Sequence, residues 1–246
     1  MTGDIAGTGW PRPKSKARWA GGLWLLVILC GLFAEVGVRG ALIVRGDPTA
    51  SAALILANEQ YFRLGIVADL AGTGAYVAAT FLVYSLMKPV NRGLALFSTL
   101  LGLAGSTVMV ANVANMVDVL LYLKSGDVLA PLAAAQQQAL AYMAIRLHSA
   151  GYNLAMIVFA GQVLLLGLVV ARARFVPRLF GWLFVIEGLS GFVRGVGVIL
   201  FSAFPDSLNS GLLLPGLVAE GGFALWLLVM GVDAAKWCEA AGTPGP

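Results

Sequence analysis

Nine charged side chains stand inside or at the ends of stretches of sequence that are otherwise apolar: Glu35, Arg39, Arg63, Asp69, Asp118, Arg146, Glu187, Arg194 and Glu220. His148 joins them. Carboxyls and guanidiniums in such surroundings can fix a ligand, relay a proton or donate one, and a carboxyl kept from water can act as a general acid. Each charge left alone at the centre of an apolar span costs about 2.5–3.5 kcal/mol, so these groups must face one another or water. Glu35 and Arg39 are i,i+4 with the acid first, and Glu187 and Arg194 are i,i+7, two turns apart on one helix face. Asn112, Asn115, Asp118 and Tyr122 follow at helical intervals, as do Arg146, Ser149 and Asn153 beside His148 and Tyr152, so two polar faces are expected to meet. Arg39, Arg63 and Arg146 lie close enough to span ends to reach out to the interface. Glu187 and Glu220 have no such outlet.

Five of these groups are acids and four are arginines, so pairing every arginine leaves one carboxyl without a cation. Glu220, between Ala219 and Gly221 and far in sequence from any arginine, is the first candidate for a carboxyl that keeps its proton; Glu187 is the second. With Asp69 they form the candidate catalytic set. Glu35, Arg39, Arg63, Asn115, Asp118, Arg146, His148, Tyr152, Asn153 and Arg194 are the candidate ligand-binding residues. Pairs of this kind also serve only to fix helix register. A single histidine cannot build a multi-histidine zinc site, and no metal or other cofactor is expected. Asn112 and Asn115 suit bonds between helices, and Gly188, Gly191 and Gly195 suit close helix packing.

The elements that position these groups are membrane spans. Of 246 residues, 59% are hydrophobic and 11% charged, where a soluble chain carries roughly 25% charge. That composition excludes a soluble enzyme, a nucleic-acid module and a disordered tail. Six spans follow from the apolar runs: Ala20–Val44, Tyr61–Met87, Leu94–Leu123, Ala139–Ala171, Leu179–Phe201 and Leu212–Val232, each near or above the ~20 residues that cross a bilayer. The fold class expected is all-α, an integral membrane bundle of six transmembrane helices with short interfacial helices in the outer loops. Those short pieces are read at Ala52–Asn58, after the capping turn Asp47-Pro48-Thr49, and at Ala130–Gln138. A basic segment (1–19) precedes the bundle (20–232), and a short tail (233–246) follows it. The first apolar run is too long for a secretory signal and is read as a retained helix. Cys30 and Cys238 lie too far apart in the pattern to suggest a disulfide.

The net charge of +4 comes from Lys and Arg beside the spans rather than from a nucleic-acid-binding face. Arg12, Lys14, Lys16, Arg18, Lys88, Arg92, Arg172, Arg174, Arg178 and Lys236 fall on one side, against Arg45 and Lys124 on the other. Both termini are therefore expected in the cytoplasm, with Trp19, Trp182 and Trp237 at that boundary. The polar groups then lie in the middle and outer half, and the cytoplasmic half is drier. No internal repeat of the transporter kind is visible.

Several segments, in order, carry a resemblance: Ala41-Leu42-Ile43-Val44 with Asp47, Asn58–Leu70 (NEQYFRLGIVADL), Lys88-Pro89-Val90-Asn91, Leu147–Asn153 (LHSAGYN), Pro177–Gly181, and Glu220 followed by Ala224-Leu225-Trp226-Leu227-Leu228 and Gly231-Val232. In these the chain resembles the bacterial membrane family catalogued as domain of unknown function 4386. The resemblance implies a multi-pass protein of the bacterial cell (inner) membrane, with Arg63, Asp69, His148 and Glu220 among shared polar positions. It supplies no activity. Glu187 stands where the family pattern has a small or apolar residue, and the arginine common early in the third span is missing around Phe97–Leu100, which points to a specialised pocket on a shared scaffold.

Two functions suit these residues. One is metal-independent acid catalysis, in which a buried carboxyl protonates an alkene or epoxide of an isoprenoid-like lipophile, as in membrane terpene cyclases. The other is a non-enzymatic ligand-binding, transport or assembly protein that uses the same charges to hold a lipid or lipophilic small molecule. The sequence leaves oligomeric state open and points to no nucleic-acid partner.

Overall fold

The structure, a computed structural model, describes residues 12–124, 129–201 and 204–243. The ends of the expected basic segment and tail, residues 1–11 and 244–246, lie outside the described residues. The described elements are all helical: α1 (Pro13–Leu42), α2 (Pro48–Ala57), α3 (Glu59–Met87), α4 (Arg92–Lys124), α5 (Ala134–Val170), α6 (Arg178–Leu200), α7 (Asp206–Gly211), α8 (Leu214–Val229) and α9 (Ala234–Ala241). Five of them, α1, α3, α4, α5 and α6, are long and apolar enough to cross a membrane. The chain is a multi-pass integral membrane protein.

The sixth span is shorter than expected. α8 has 16 residues, about 24 Å at 1.5 Å per residue against a hydrocarbon core of about 30 Å. It and α9 meet at a bend of 100° and together make up the sixth candidate span. Gly231 makes the bend with φ 72°, a left-handed conformation that costs glycine little and other residues more. Asp233 then accepts from the Lys236 amide and caps α9.

Neighbours in sequence are neighbours in space, and α1 also packs on α8, so α1, α3, α4, α5, α6 and α8 form a closed ring. Gly231 lies against the Lys14 backbone, the Trp237 indole donates to Leu86 O at 2.9 Å, and the Asp233 amide donates to Phe175 O at 3.1 Å. The start of α1, α9 and the α3–α4 and α5–α6 connections therefore share one side of the ring, here the terminal side. On the distal side Gly46 N donates to the Tyr142 hydroxyl, and Lys124 reaches Glu59.

Glycines let the ring close. A Cβ at Gly21 would lie 2.5 Å from Ala224 O and Leu228 N, so α1 and α8 approach backbone to backbone. Gly188, Gly191 and Gly195 of α6 meet Leu164, Ala160 and Ile157 of α5, the packing role expected of them. Gly21→Val should therefore destabilise by about 1–3 kcal/mol or more, because the opposing atoms are backbone and cannot rotate away. Gly31→Ala, whose Cβ would meet nothing within 4 Å, should not. Thermal unfolding of both variants in one detergent checks the contrast.

The short helix in the first outer loop forms as Pro48–Ala57, with Asp47 accepting from the Ala50 amide. The piece expected at Ala130–Gln138 is not a separate helix: from Ala134 onward it is the start of the 37-residue α5. No proline or glycine interrupts the run after Pro131, so the helix has no reason to break before the span. α7 supplies the other short outer helix.

Candidate functional site

α1 changes pitch at its distal end. Phe33–Arg39 is π-helical, which adds a residue to the turn and moves side chains from their α-helical positions. Gly65 of α3 lets this turn come close, since a Cβ there would lie 2.9 Å from Val38 Cγ1. Across that contact Arg39 donates Nε to Glu35 Oε2 at 2.6 Å, and donates Nη1 and Nη2 to Asp69 Oδ2 and Oδ1 at 2.6 and 3.1 Å. The Arg39–Asp69 bond is bidentate and fixes both side chains. Their side chains are only 10% and 13% exposed, against 67% for Glu35. Arg39 thus turns inward, not out to the interface as expected, because two carboxylates compensate its loss of water.

Below this triad the ring encloses a cavity of about 450 Å³ to which all six ring helices contribute. Seven of the candidate residues line it: Glu35, Arg39, Asp69, Tyr152, Glu187, Arg194 and Glu220. At its deep end the Glu187 carboxyl packs on α8, where a Cβ at Gly216 would lie 3.1 Å from Oε1. Gly216 is one turn before Glu220, so the Glu187 and Glu220 carboxyls approach each other at this end of the cavity. Glu187 Oε2 is buried with no hydrogen-bond partner, and the Trp24 indole N–H beside Glu220 is likewise unsatisfied.

Aromatic rings close the terminal end. Tyr76 and Phe159 line the cavity with centroids 5.0 Å apart. Trp24 backs Tyr76 at 5.8 Å and packs on Phe223 and Phe184 at 5.9 and 6.1 Å. The Tyr76 hydroxyl donates to Gln162 Oε1 at 2.7 Å. The cavity therefore sits over a packed apolar layer in the terminal half of the ring.

A family model described as "Domain of unknown function (DUF4386)" matches residues 19–231, the stretch from the exposed Trp19 to the bend glycine that contains the whole ring. The chain belongs to this family. No curated protein and no solved structure matches it.

In this DUF4386 member the other candidate residues fall outside the cavity. Arg63 is exposed on the distal end of α3 and pairs with Glu59 at 2.8 Å, which also takes Lys124 at 2.7 Å. His148 and Asn115 belong to the α4–α5 seam: Asn112 Nδ2 donates to His148 O at 2.9 Å and lies 3.2 Å from His148 Nδ1, while Asn115 Nδ2 donates to Asn112 Oδ1 at 2.9 Å. Asn112 fits because Gly151 opposite has no Cβ. The two polar faces do meet, but as interhelical bonds rather than as a pocket wall. Asp118 and Asn153 are half-buried, and Arg146 is exposed. Among the described residues no three of His, Cys, Asp or Glu are grouped to hold a metal ion.

Sequence reasoning passed over Tyr76, Phe159, Ser106 and Met156, which also line the cavity. Tyr76 was within reach of the pattern: Asp69, Thr73 and Tyr76 follow at i, i+4 and i+7 on one face.

Proposed function

We propose that this protein is an integral membrane enzyme that holds an isoprenoid-like lipophile in the ring cavity and starts its cyclisation or isomerisation by protonation from the Glu187–Glu220 pair. The observation that carries the reading is the adjoining of two carboxyls at the deep end of a cavity walled by aromatic rings. Two bare negative charges in contact are costly, so the pair keeps one proton between them, as in other sites where carboxyls share a proton. That proton adds to an alkene carbon or an epoxide oxygen of the substrate. The carbocation formed is attracted by the carboxylate left behind and by the faces of Tyr76 and Phe159. It closes on a second double bond and returns a proton to the pair, so substrate and product are isomers.

Transport, ligand binding or assembly uses the same charges differently. The aromatic layer under the cavity favours chemistry over passage, because it leaves a closed end where the carboxyls sit. We place the terminal side in the cytoplasm of a bacterial cell (inner) membrane, since Lys14, Lys16, Lys88, Arg92, Arg172, Arg174 and Arg178 cluster at that side.

The test is incubation of the purified protein in nanodiscs with prenyl alcohols, alkenes and terminal epoxides in D₂O. The reading expects a product with the skeleton of an isomer of its substrate, carrying one carbon-bound deuterium where an alkene was protonated and a new hydroxyl where an epoxide was opened. Unchanged substrates across the panel would count against it.

A further inference from the structure

The two helices that close the ring, α1 and α8, come closest in its terminal half. Gly21 and Gly22 pack on Ala224 and Leu228, whereas the π-helical segment Phe33–Arg39 packs on α3 and makes no comparable contact with α8. Above the closure, Gly31, Leu32 and Val36 of α1 and Leu213 and Leu217 beside or on α8 line the cavity, and the four large side chains among them are exposed. An opening with apolar lips in a membrane-spanning wall admits molecules from lipid more readily than from water. Exposed Glu35 stands beside it.

The charge of the lining is lopsided. Glu35, Asp69, Glu187 and Glu220 face Arg39 and Arg194, so the lining stays net negative even when one proton is held by the deep pair. Arg39 is already occupied by two carboxylates. Glu187 Oε2 is buried without a hydrogen-bond partner, a polar atom that a polar group at the deep end of a ligand would satisfy.

We infer that the cavity takes its ligand from the bilayer through the gap between α1 and α8, and that this ligand is a lipophile without an anionic group whose deep end bears or develops positive charge. A lipophile with an anionic head such as a phosphate or diphosphate is thereby disfavoured, and an uncharged or cationic lipophile is the ligand class that fits. The inference rests on the carboxyl-pair reading above, but it concerns binding and is tested without turnover.

The probes are dodecyldimethylamine, dodecanol and dodecyl phosphate, titrated into the full-length protein in phosphatidylcholine nanodiscs with empty discs as blank. The protonated amine should bind saturably, about tenfold or more tighter than the alcohol, as a hydrogen bond to a charged group predicts. The phosphate should only partition as it does into empty discs. Glu187→Gln with Glu220→Gln should abolish the preference for the amine. Gly31→Phe should block binding, whereas Gly74→Phe should not: neither new Cβ meets anything within 4 Å, but only Gly31 lines the cavity. Saturable binding of dodecyl phosphate equal to or tighter than the amine, or unaltered binding in folded Gly31→Phe, would overturn the inference. Selective amine binding without turnover of any lipophile upholds it and removes the catalytic reading instead.

Discussion

Glu220→Gln folds as the wild type does and loses about 10²–10⁴-fold in turnover, the usual contribution of a general acid. The exchange keeps the size of the side chain and most of its hydrogen-bonding capacity and removes the transferable proton. Glu187→Gln should give a loss of the same order, because in the proposed mechanism the two carboxyls at the deep end of the cavity hold the proton jointly. The double variant is little worse than either single one, as expected for residues that act as a unit. Steady-state turnover of an identified substrate, read beside the unfolding midpoint of each variant, checks this. Additive losses would separate the two carboxyls into independent roles, and full activity in both variants would leave the charges as structural or ligand-binding groups.

Arg39→Ala has the largest effect on stability. It strands Asp69, whose side chain is 13% exposed, and removes the partner of Glu35, so a loss of about 3–5 kcal/mol is expected. Arg63→Ala acts on a pair that is half exposed at the distal surface and should cost no more than about 1 kcal/mol. Arg39→Leu combined with Asp69→Leu should recover much of the loss, since apolar replacement of both partners leaves no buried charge behind. Chemical unfolding in a fixed lipid–detergent mixture measures all three. Equal losses for Arg39→Ala and Arg63→Ala would contradict the distinction between the inner and the surface pair.

The spans were legible because their apolar composition is a property of each stretch taken alone. The same holds for the Asp47 cap, which needs only the local sequence Asp47-Pro48-Thr49. The shortening of the last span was not visible in hydropathy: Met230 and Val232 are apolar, and only the left-handed φ of Gly231 turns the chain. The Glu35–Arg39 pair could be read from its spacing, but its inward turn depends on the π-helical segment and on Gly65, neither of which leaves a periodic signal. Charge counting singled out Glu187 and Glu220 as acids with no route to water. Their adjacency could not be read, since it depends on how far α6 and α8 rotate about their axes and slide along each other when they pack. His148 and Asn115 take part in bonds of the α4–α5 seam, and a polar stripe that bonds two helices looks the same in sequence as one that faces a cavity.

The proposed mechanism requires that Glu187 and Glu220 share one proton inside the membrane. The most direct measurement is the infrared C=O stretch of protonated carboxyls in the purified protein at neutral pH, recorded for the wild type and for the variant carrying both Glu187→Gln and Glu220→Gln. The account predicts a protonated-carboxyl band, shifted by deuterium exchange, that is absent from the double variant. A wild-type spectrum without such a band, or a band that survives both substitutions, would contradict it.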